Sequence, residues 1–100
     1  MSKNRDRGKS YERWIAQDLG GRRVGILGQH DVEITSPPIA VECKERQRMP
    51  TFMRKTMQQA IDNCPDDKLP IAIVHELNMD HGKDIVLCQY NTFRLLIGRR

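Results

Sequence analysis

The chain has 100 residues, enough for one domain with a single core, although so small a domain buries a modest part of its surface and would gain stability as a homodimer. Its 17 Lys and Arg residues outnumber its 13 Asp and Glu residues, and the net charge of +4 favours a polyanionic partner over an acidic protein surface. The N-terminus has no apolar signal region and no aliphatic run is long enough to cross a bilayer, so we expect a soluble, unexported protein.

The first seven residues form a polar, basic arm, which we expect to be flexible until it meets a partner. Residues 8–100 read as a single domain. A helix is predicted over residues 9–19, followed by a stop at Gly20-Gly21. Its apolar residues recur at helical spacing, and we expect Trp14 among them to lie in the core: Tyr11, Trp14, Ile15 and Leu19.

Three strands are predicted next, over residues 22–27, 30–35 and 39–44. The segment Ser36-Pro37-Pro38 turns the chain between the second and the third. The first helix is therefore followed by a meander of strands.

A second helix is predicted to begin with Thr51 as its N-cap and to end at Cys64-Pro65. Strands over residues 71–77 and 84–90 follow, and Asn91 is expected to cap a short last helix. The strings IAVEC and IAIV are nearly continuously apolar, as in central strands that are covered on both faces. These elements predict an α/β fold of order αβββαββα, with a mixed central sheet of about five strands flanked by helices.

The cysteines are odd in number and none belongs to a CxxC pair, which argues against a disulfide framework and a structural zinc site. Cys43, Cys64 and Cys88 are expected to be free thiols, at least two of them in the core.

His75-Glu76 and His81 resemble part of a zinc-protease motif, but the second histidine comes six residues after the first instead of four. We expect these histidines to be structural or exposed.

The string VECKER places a carboxylate and an amine on one strand face, because alternate residues of a strand point the same way. Glu42 and Lys44 share that face, and a hairpin would bring Asp31 of the preceding strand opposite Glu42. Two such carboxylates can hold one hard divalent cation, which outlines a magnesium site. The alternative is an ordinary salt bridge between Glu42 and Lys44. Glu33 shares the strand face of Asp31 and is a competing ligand, although the motif context favours Asp31.

A helix carrying Glu12, then Asp31, then Glu42-Cys43-Lys44 resembles the core of the PD-(D/E)XK nucleases. The opening GKSYERW, the pair Arg22-Arg23 and the string VECK are most similar to the archaeal and phage-type Holliday junction resolvases, over roughly residues 8–77. This resemblance implies a restriction-endonuclease-like core that hydrolyses phosphodiesters of branched DNA.

The resemblance also implies roles for individual residues. Asp31, Glu42 and the backbone carbonyl of Cys43 would bind Mg²⁺, for which Mn²⁺ would substitute, and Glu12 would contact a metal-bound water. Lys44 would orient the attacking water or stabilise developing negative charge.

Basic residues near this motif are candidates for binding the phosphates of the DNA backbone, although each could equally belong to a solvated surface. They are Lys9, Arg13, Arg22, Arg23, Arg46, Arg48, Arg54 and Lys55. By the same resemblance Gln58 on the second helix is a further candidate for DNA binding. The alternative is that Gln58 is an ordinary exposed glutamine.

Three functions remain in view. The first is a homodimer that resolves four-way DNA junctions by paired symmetric nicks. We expect such a protein in the cytoplasm near the nucleoid or, if it is viral, in the cytoplasm of the host cell. The second is another nuclease of the same fold, of the restriction, flap or nicking type. The third is a non-catalytic DNA-binding protein in which Glu42 and Lys44 merely pair.

Overall fold

The computed structural model describes the backbone of residues 3–100 and the side chains from Gly8 onward. It confirms an α/β fold: three helices and five strands follow one another in the predicted order. The strands form two antiparallel sheets, one of three strands and one of two, instead of a single mixed sheet of five. The chain divides into two compact units, Met1–Gln47 and Arg48–Arg100.

Helix α1 spans Lys3–Leu19 and begins earlier than the periodicity predicts. The backbone of residues 3–7 in the expected N-terminal arm is therefore helical, whereas residues 1–2 and the side chains of the arm lie outside the described residues. The predicted stop is confirmed, because Gly20 adopts a φ of 69° that a residue with a side chain disfavours. The amide of Gly21 donates to the carbonyl of Ala16 at 2.8 Å, and that of Gly20 donates to Gln17 at 3.3 Å, which together form a Schellman motif.

The first sheet is a meander of β1 (Arg22–Arg23), β2 (Val32–Ile34) and β3 (Ile39–Val41), in that spatial order. All three strands are shorter than predicted. In the β2–β3 ladder Val32 pairs with Val41 and Ile34 pairs with Ile39. The connecting turn contains a cis peptide bond between Ser36 and Pro37. Since β3 ends at Val41, the acidic and basic residues of VECKER follow the strand instead of lying within it.

The core of the first unit forms where α1 contacts β1 and β2. Its buried apolar side chains are Ile15, Ala16, Leu19, Val32 and Ile34. Trp14 is 53% exposed, so the prediction that it lies in the core is wrong. Its position on the helix places it beside the buried stripe, not at its centre.

The second unit contains α2 (Thr51–Asp62), β4 (Ala72–Val74), a short 3₁₀ helix (His81–Lys83), β5 (Ile85–Leu87) and α3 (Tyr90–Leu96). Helix α2 contacts β4, and β4 pairs with β5.

Two predicted helix caps are wrong by one or two positions. The carbonyl of Pro50 accepts the first hydrogen bond of α2, from Arg54 at 3.1 Å, so the N-cap is Pro50 and Thr51 is already helical. The N-cap of α3 is likewise Gln89 instead of Asn91.

Burial in the second unit differs from the expectation for central strands. Ile73 in β4 is 68% exposed within the described chain, because β4 belongs to a two-stranded sheet. The three cysteines are free thiols, as predicted, but Cys43, Cys64 and Cys88 are all of intermediate burial, so none lies in the core. None of the helices among residues 3–100 combines the length and the apolarity that a membrane span requires.

Gly21 provides a test of how closely the end of α1 approaches β2. A Cβ atom at Gly21 would lie 2.3 Å from the carbonyl oxygen of Glu33 and 2.6 Å from Cγ2 of Ile34, so the backbone would have to move. We expect Gly21→Ala to lower the free energy of unfolding by about 1–3 kcal/mol, measured by urea denaturation.

Gly8→Ala is the matched control, because Gly8 is helical and has no atom within 4 Å of the added Cβ. This substitution should raise stability by about 0.5–1 kcal/mol through the helix propensity of alanine. Equal stability of the two variants would contradict the close approach at Gly21.

Candidate active site

The segment that follows β3 is tied to the start of β2 by one hydrogen bond. The backbone amide of Cys43 donates to Oδ2 of Asp31 at 2.8 Å, in a half-buried position. A carboxylate that accepts a backbone N–H bond is held in one orientation. The predicted neighbours Asp31 and Glu42-Cys43-Lys44 are therefore adjacent in the first unit.

The backbone of Asp31 is held from both neighbouring strands. Its carbonyl accepts a hydrogen bond from Val24 at 2.9 Å, and its amide donates to the carbonyl of Val41 at 3.0 Å. In a regular antiparallel strand the amide and the carbonyl of one residue point to the same neighbouring strand, whereas those of Asp31 point to different ones. The regular ladder thus ends at this point, and Glu42 is exposed while Asp31 is half-buried.

All three predicted acidic residues act electrostatically on the thiol of Cys43. Burial raises the pKa of this thiol above its ordinary value, and the carboxylates of Asp31, Glu12 and Glu42 raise it further. These charges disfavour a thiolate, so all three carboxylates act on the same group of the first unit. The sequence predicted these acids together with the backbone carbonyl of Cys43, but it gave no role to the Cys43 thiol.

Two of the acidic residues near this point are already engaged by partners. Oε1 of Glu12 lies 3.1 Å from Nε of Arg23, and this pair is half-buried. Glu33 pairs with Arg22 and also contacts Nε2 of His30 at 2.8 Å. The hydrogen bonds from His30 and Arg22 lower the pKa of Glu33. Glu33, the competing ligand, is thus occupied by two partners, whereas Asp31 faces Cys43.

Two clefts flank the Asp31–Cys43 bond within the first unit. One, of about 330 Å³, is lined by Lys9, Glu12, Arg23, Gly25, Ile26, Leu27, His30 and Asp31. The other, of about 450 Å³, is lined by Gly8, Tyr11, Cys43, Lys44, Glu45, Arg46 and Gln47. Burial, the thiol of Cys43 and the carboxylate of Glu45 raise the pKa of Tyr11, which keeps the phenol neutral. Asp31 and Glu12 therefore line one cleft and Cys43 and Lys44 line the other, whereas Glu42 lines neither.

Glu42 and Lys44 are both exposed and form no ion pair with each other within 4.0 Å among the described residues. The salt bridge offered as the plain alternative is thus not formed.

The acidic residues are near one another but do not form a closed ligand set. Among residues 8–100, the group of three metal-binding side chains whose ligand atoms all lie within 4.8 Å of one another consists of His75, His81 and Asp84. The set of Glu12, Asp31 and Glu42 is more open than that, so direct ligation by all three would require side-chain movement. The sequence reasoning treated both histidines as structural or exposed, and the only available signal was their spacing along the chain.

The predicted DNA-binding residues fall into two groups. Lys9, Arg13, Arg22, Arg23 and Arg46 belong to the first unit, and Arg13 and Arg46 are exposed. Arg48, Arg54, Lys55 and Gln58 belong to the second unit, where Nε2 of Gln58 donates to Asp62 at 2.8 Å. Gln58 is therefore exposed and engaged within its own helix.

Comparisons of the chain with protein-family models, with curated proteins and with solved structures gave no match.

The charge environment of Cys43 predicts its reactivity. Since the thiolate is the nucleophile, a raised pKa shifts alkylation to higher pH. We expect Cys43 to reach its half-maximal rate of iodoacetamide modification at a higher pH than a cysteine in an unstructured peptide, as followed by peptide mass spectrometry. Asp31→Asn should move that midpoint downward, because it removes a negative charge while keeping an oxygen to accept the bond from Cys43.

Asp67→Asn is the matched control, because the side chain of Asp67 is 81% exposed and belongs to the second unit. It should leave the profile unchanged. A profile that is insensitive to Asp31→Asn would show that Asp31 does not act on the thiol.

Proposed function

We propose that the chain is a metal-dependent endonuclease that hydrolyses phosphodiesters in branched DNA. The observation that carries the proposal is the bond between the Cys43 amide and Asp31, which sets the Glu42-Cys43-Lys44 segment beside a fixed carboxylate. The order αβββαββα agrees with the restriction-endonuclease-like core that the resemblance implies. The net charge of +4 suits a polyanionic substrate.

The residues fit a magnesium ion that is held in part through water. Mg²⁺ takes oxygen ligands in an octahedron and retains several of its waters. Oδ2 of Asp31 is engaged by Cys43, which leaves Oδ1 for the ion, and the exposed carboxylate of Glu42 would have to turn toward the ion. Glu12 is held by Arg23 and would contact a metal-bound water instead of the ion. The carbonyl of Cys43 completes the proposed ligand set.

When bound, Mg²⁺ or Mn²⁺ would polarise the scissile phosphate and lower the pKa of a water molecule. Lys44 is exposed, forms no ion pair with Glu42 and lines the cleft that also contains Arg46. Its ammonium group can therefore orient the attacking water or stabilise the charge that develops on the phosphate oxygens. The reaction is hydrolysis of one phosphodiester bond, with a phosphate and a hydroxyl as the products.

Positioning of DNA would depend on basic residues that are not committed to carboxylates. Arg22 and Arg23 pair with Glu33 and Glu12, so their role is first to orient these acids. The exposed Arg13 and Arg46, together with Lys9, are better placed to contact phosphates in the first unit. Arg48 and Gln58 would add contacts from the second unit.

Junction resolution is the form of this activity that we favour. A homodimer has two active sites related by a twofold axis, and two such sites can nick opposite strands of a four-way junction symmetrically. Recognition would rest on phosphate geometry more than on base sequence.

A non-catalytic DNA-binding protein is the second candidate, and one observation favours it. Glu12 is paired with Arg23, and the three acidic residues do not form a closed ligand set among the described residues. In that case Glu12 would serve only to orient Arg23, and Asp31 only to hold the Cys43 segment.

The two candidates differ in their response to magnesium and to loss of one acid. We expect the purified chain to cut a labelled four-way junction in the presence of Mg²⁺, and to leave it intact without the ion. Asp31→Asn and Glu42→Gln should each reduce the cleavage rate by at least about a hundredfold, because each removes a negative ligand while preserving shape. Junction binding, measured by gel shift, should change little, since other residues contact the phosphates.

Asp67→Asn controls for the loss of one carboxylate from a remote, exposed position and should cut at the rate of the unaltered chain. A linear duplex of the same sequence shows whether branching matters. Binding without any magnesium-dependent cleavage would establish the second candidate, and full activity of both acid variants would refute the site.

Magnesium binding can also be detected without a nuclease assay. An ion beside Asp31 and Glu42 would offset the charges that raise the pKa of Cys43. We expect saturating Mg²⁺ to shift the alkylation profile of Cys43 to lower pH, and the combined variant Asp31→Asn/Glu42→Gln to abolish that shift. The same profile with and without magnesium would mean that no ion binds there.

A further inference from the structure

Two histidines and an aspartate meet at the loop end of the β4–β5 hairpin, within the second unit. The ladder pairs Val74 with Ile85, so the next residue on each strand, His75 and Asp84, lie opposite each other. The 3₁₀ helix begins at His81 and returns this residue to the same point. Three ligands from different parts of the hairpin therefore converge.

Each of the two imidazole rings directs its Nδ1 atom toward the carboxylate of Asp84. Nδ1 of His75 lies 2.6 Å from Oδ1 of Asp84, and Nδ1 of His81 lies 3.4 Å from Oδ2. The two rings are stacked, with their centroids 4.2 Å apart and an angle of 28° between their planes. The ligand atoms of all three side chains lie within 4.8 Å of one another.

One of these separations matches that of a tetrahedral zinc site. Zn–N and Zn–O bonds of about 2.0–2.1 Å with tetrahedral angles separate the ligand atoms by about 3.4 Å. His81 and Asp84 already have this separation. His75 and Asp84 are closer, at hydrogen-bond distance, and a rotation of the carboxylate would let an ion enter between them.

The structure assigns His75, His81 and Asp84 as a three-ligand site for a divalent ion of the zinc class. Two imidazole nitrogens and one carboxylate oxygen suit Zn²⁺ or Co²⁺, whereas Mg²⁺ prefers oxygen ligands alone. The side chain of Asp84 is 16% exposed and that of His81 is 85% exposed. The ion is therefore reachable from solvent.

A three-ligand site leaves one coordination position for water or for a ligand group. A cleft of about 500 Å³ lies beside it, lined by Val74, His75, Glu76, Met79, Lys83 and Ile85. The ion would also link the two ends of the segment between β4 and β5. An ion that binds the folded chain but not the unfolded chain stabilises the folded chain. This site belongs to the second unit and does not depend on the proposed nuclease centre of the first.

The test is a calorimetric titration of the metal-free full chain with zinc chloride near neutral pH. We expect saturable binding of one ion per chain, an increase in melting temperature, and visible absorption bands of tetrahedral Co²⁺ when cobalt replaces zinc. His81→Ala and Asp84→Asn should each weaken zinc binding by at least about tenfold. A large excess of magnesium should not displace the zinc.

Two controls distinguish this site from other zinc ligands in the chain. His30→Ala makes the same substitution at the one histidine of the first unit and should leave zinc binding unchanged. The double variant Cys64→Ser/Cys88→Ser should also retain it, because the proposed ligands include no thiolate.

Absence of saturable binding, or unchanged affinity in His81→Ala, would overturn the assignment. Loss of binding in the cysteine variant would also overturn it. His81 is largely exposed, so His81→Ala decides the matter even if Asp84→Asn fails to fold, provided that circular dichroism shows His81→Ala to be folded.

Discussion

The close contact between the end of helix α1 and strand β2 is the constraint on which the first unit depends. Gly21 lies so near the backbone of Glu33 that no side chain fits there, and the buried residues Leu19 and Val32 lie at the same junction. This contact sets the helix in one position against the meander. As a result Glu12, on the helix, reaches Arg23, on β1, and its charge acts on the thiol of Cys43.

Around that frame, hydrogen bonds decide which acidic groups remain available. Glu33 is held by Arg22 and His30, and Glu12 is held by Arg23, so their charges are already balanced. Asp31 instead accepts a neutral backbone amide, from Cys43. An amide orients a carboxylate without cancelling its charge, which is why Asp31 is the residue around which a cation site can be argued.

The two candidate metal sites differ in chemistry and in degree of assembly. Oxygen ligands predominate around Asp31, which suits a hard ion that keeps its own waters and tolerates an open ligand set. Imidazole nitrogens predominate at His75, His81 and Asp84, where the ligand atoms are already close and suit a borderline ion. A chain with both sites would respond to magnesium and to zinc at separate places and by separate measurements.

The sequence by itself determined the order of the elements, the end of α1 at Gly20-Gly21 and the residue types available for chemistry. The order of the elements and the end of α1 follow from apolar periodicity and from the φ values open to glycine, which are local properties. The tertiary structure alone decided where β3 ends, that the strands form two sheets, and that Asp31 bonds to Cys43. It also decided that His81 returns to His75 and Asp84. Such contacts depend on strand register and loop path, which join residues far apart in the chain and therefore leave no periodic trace in it.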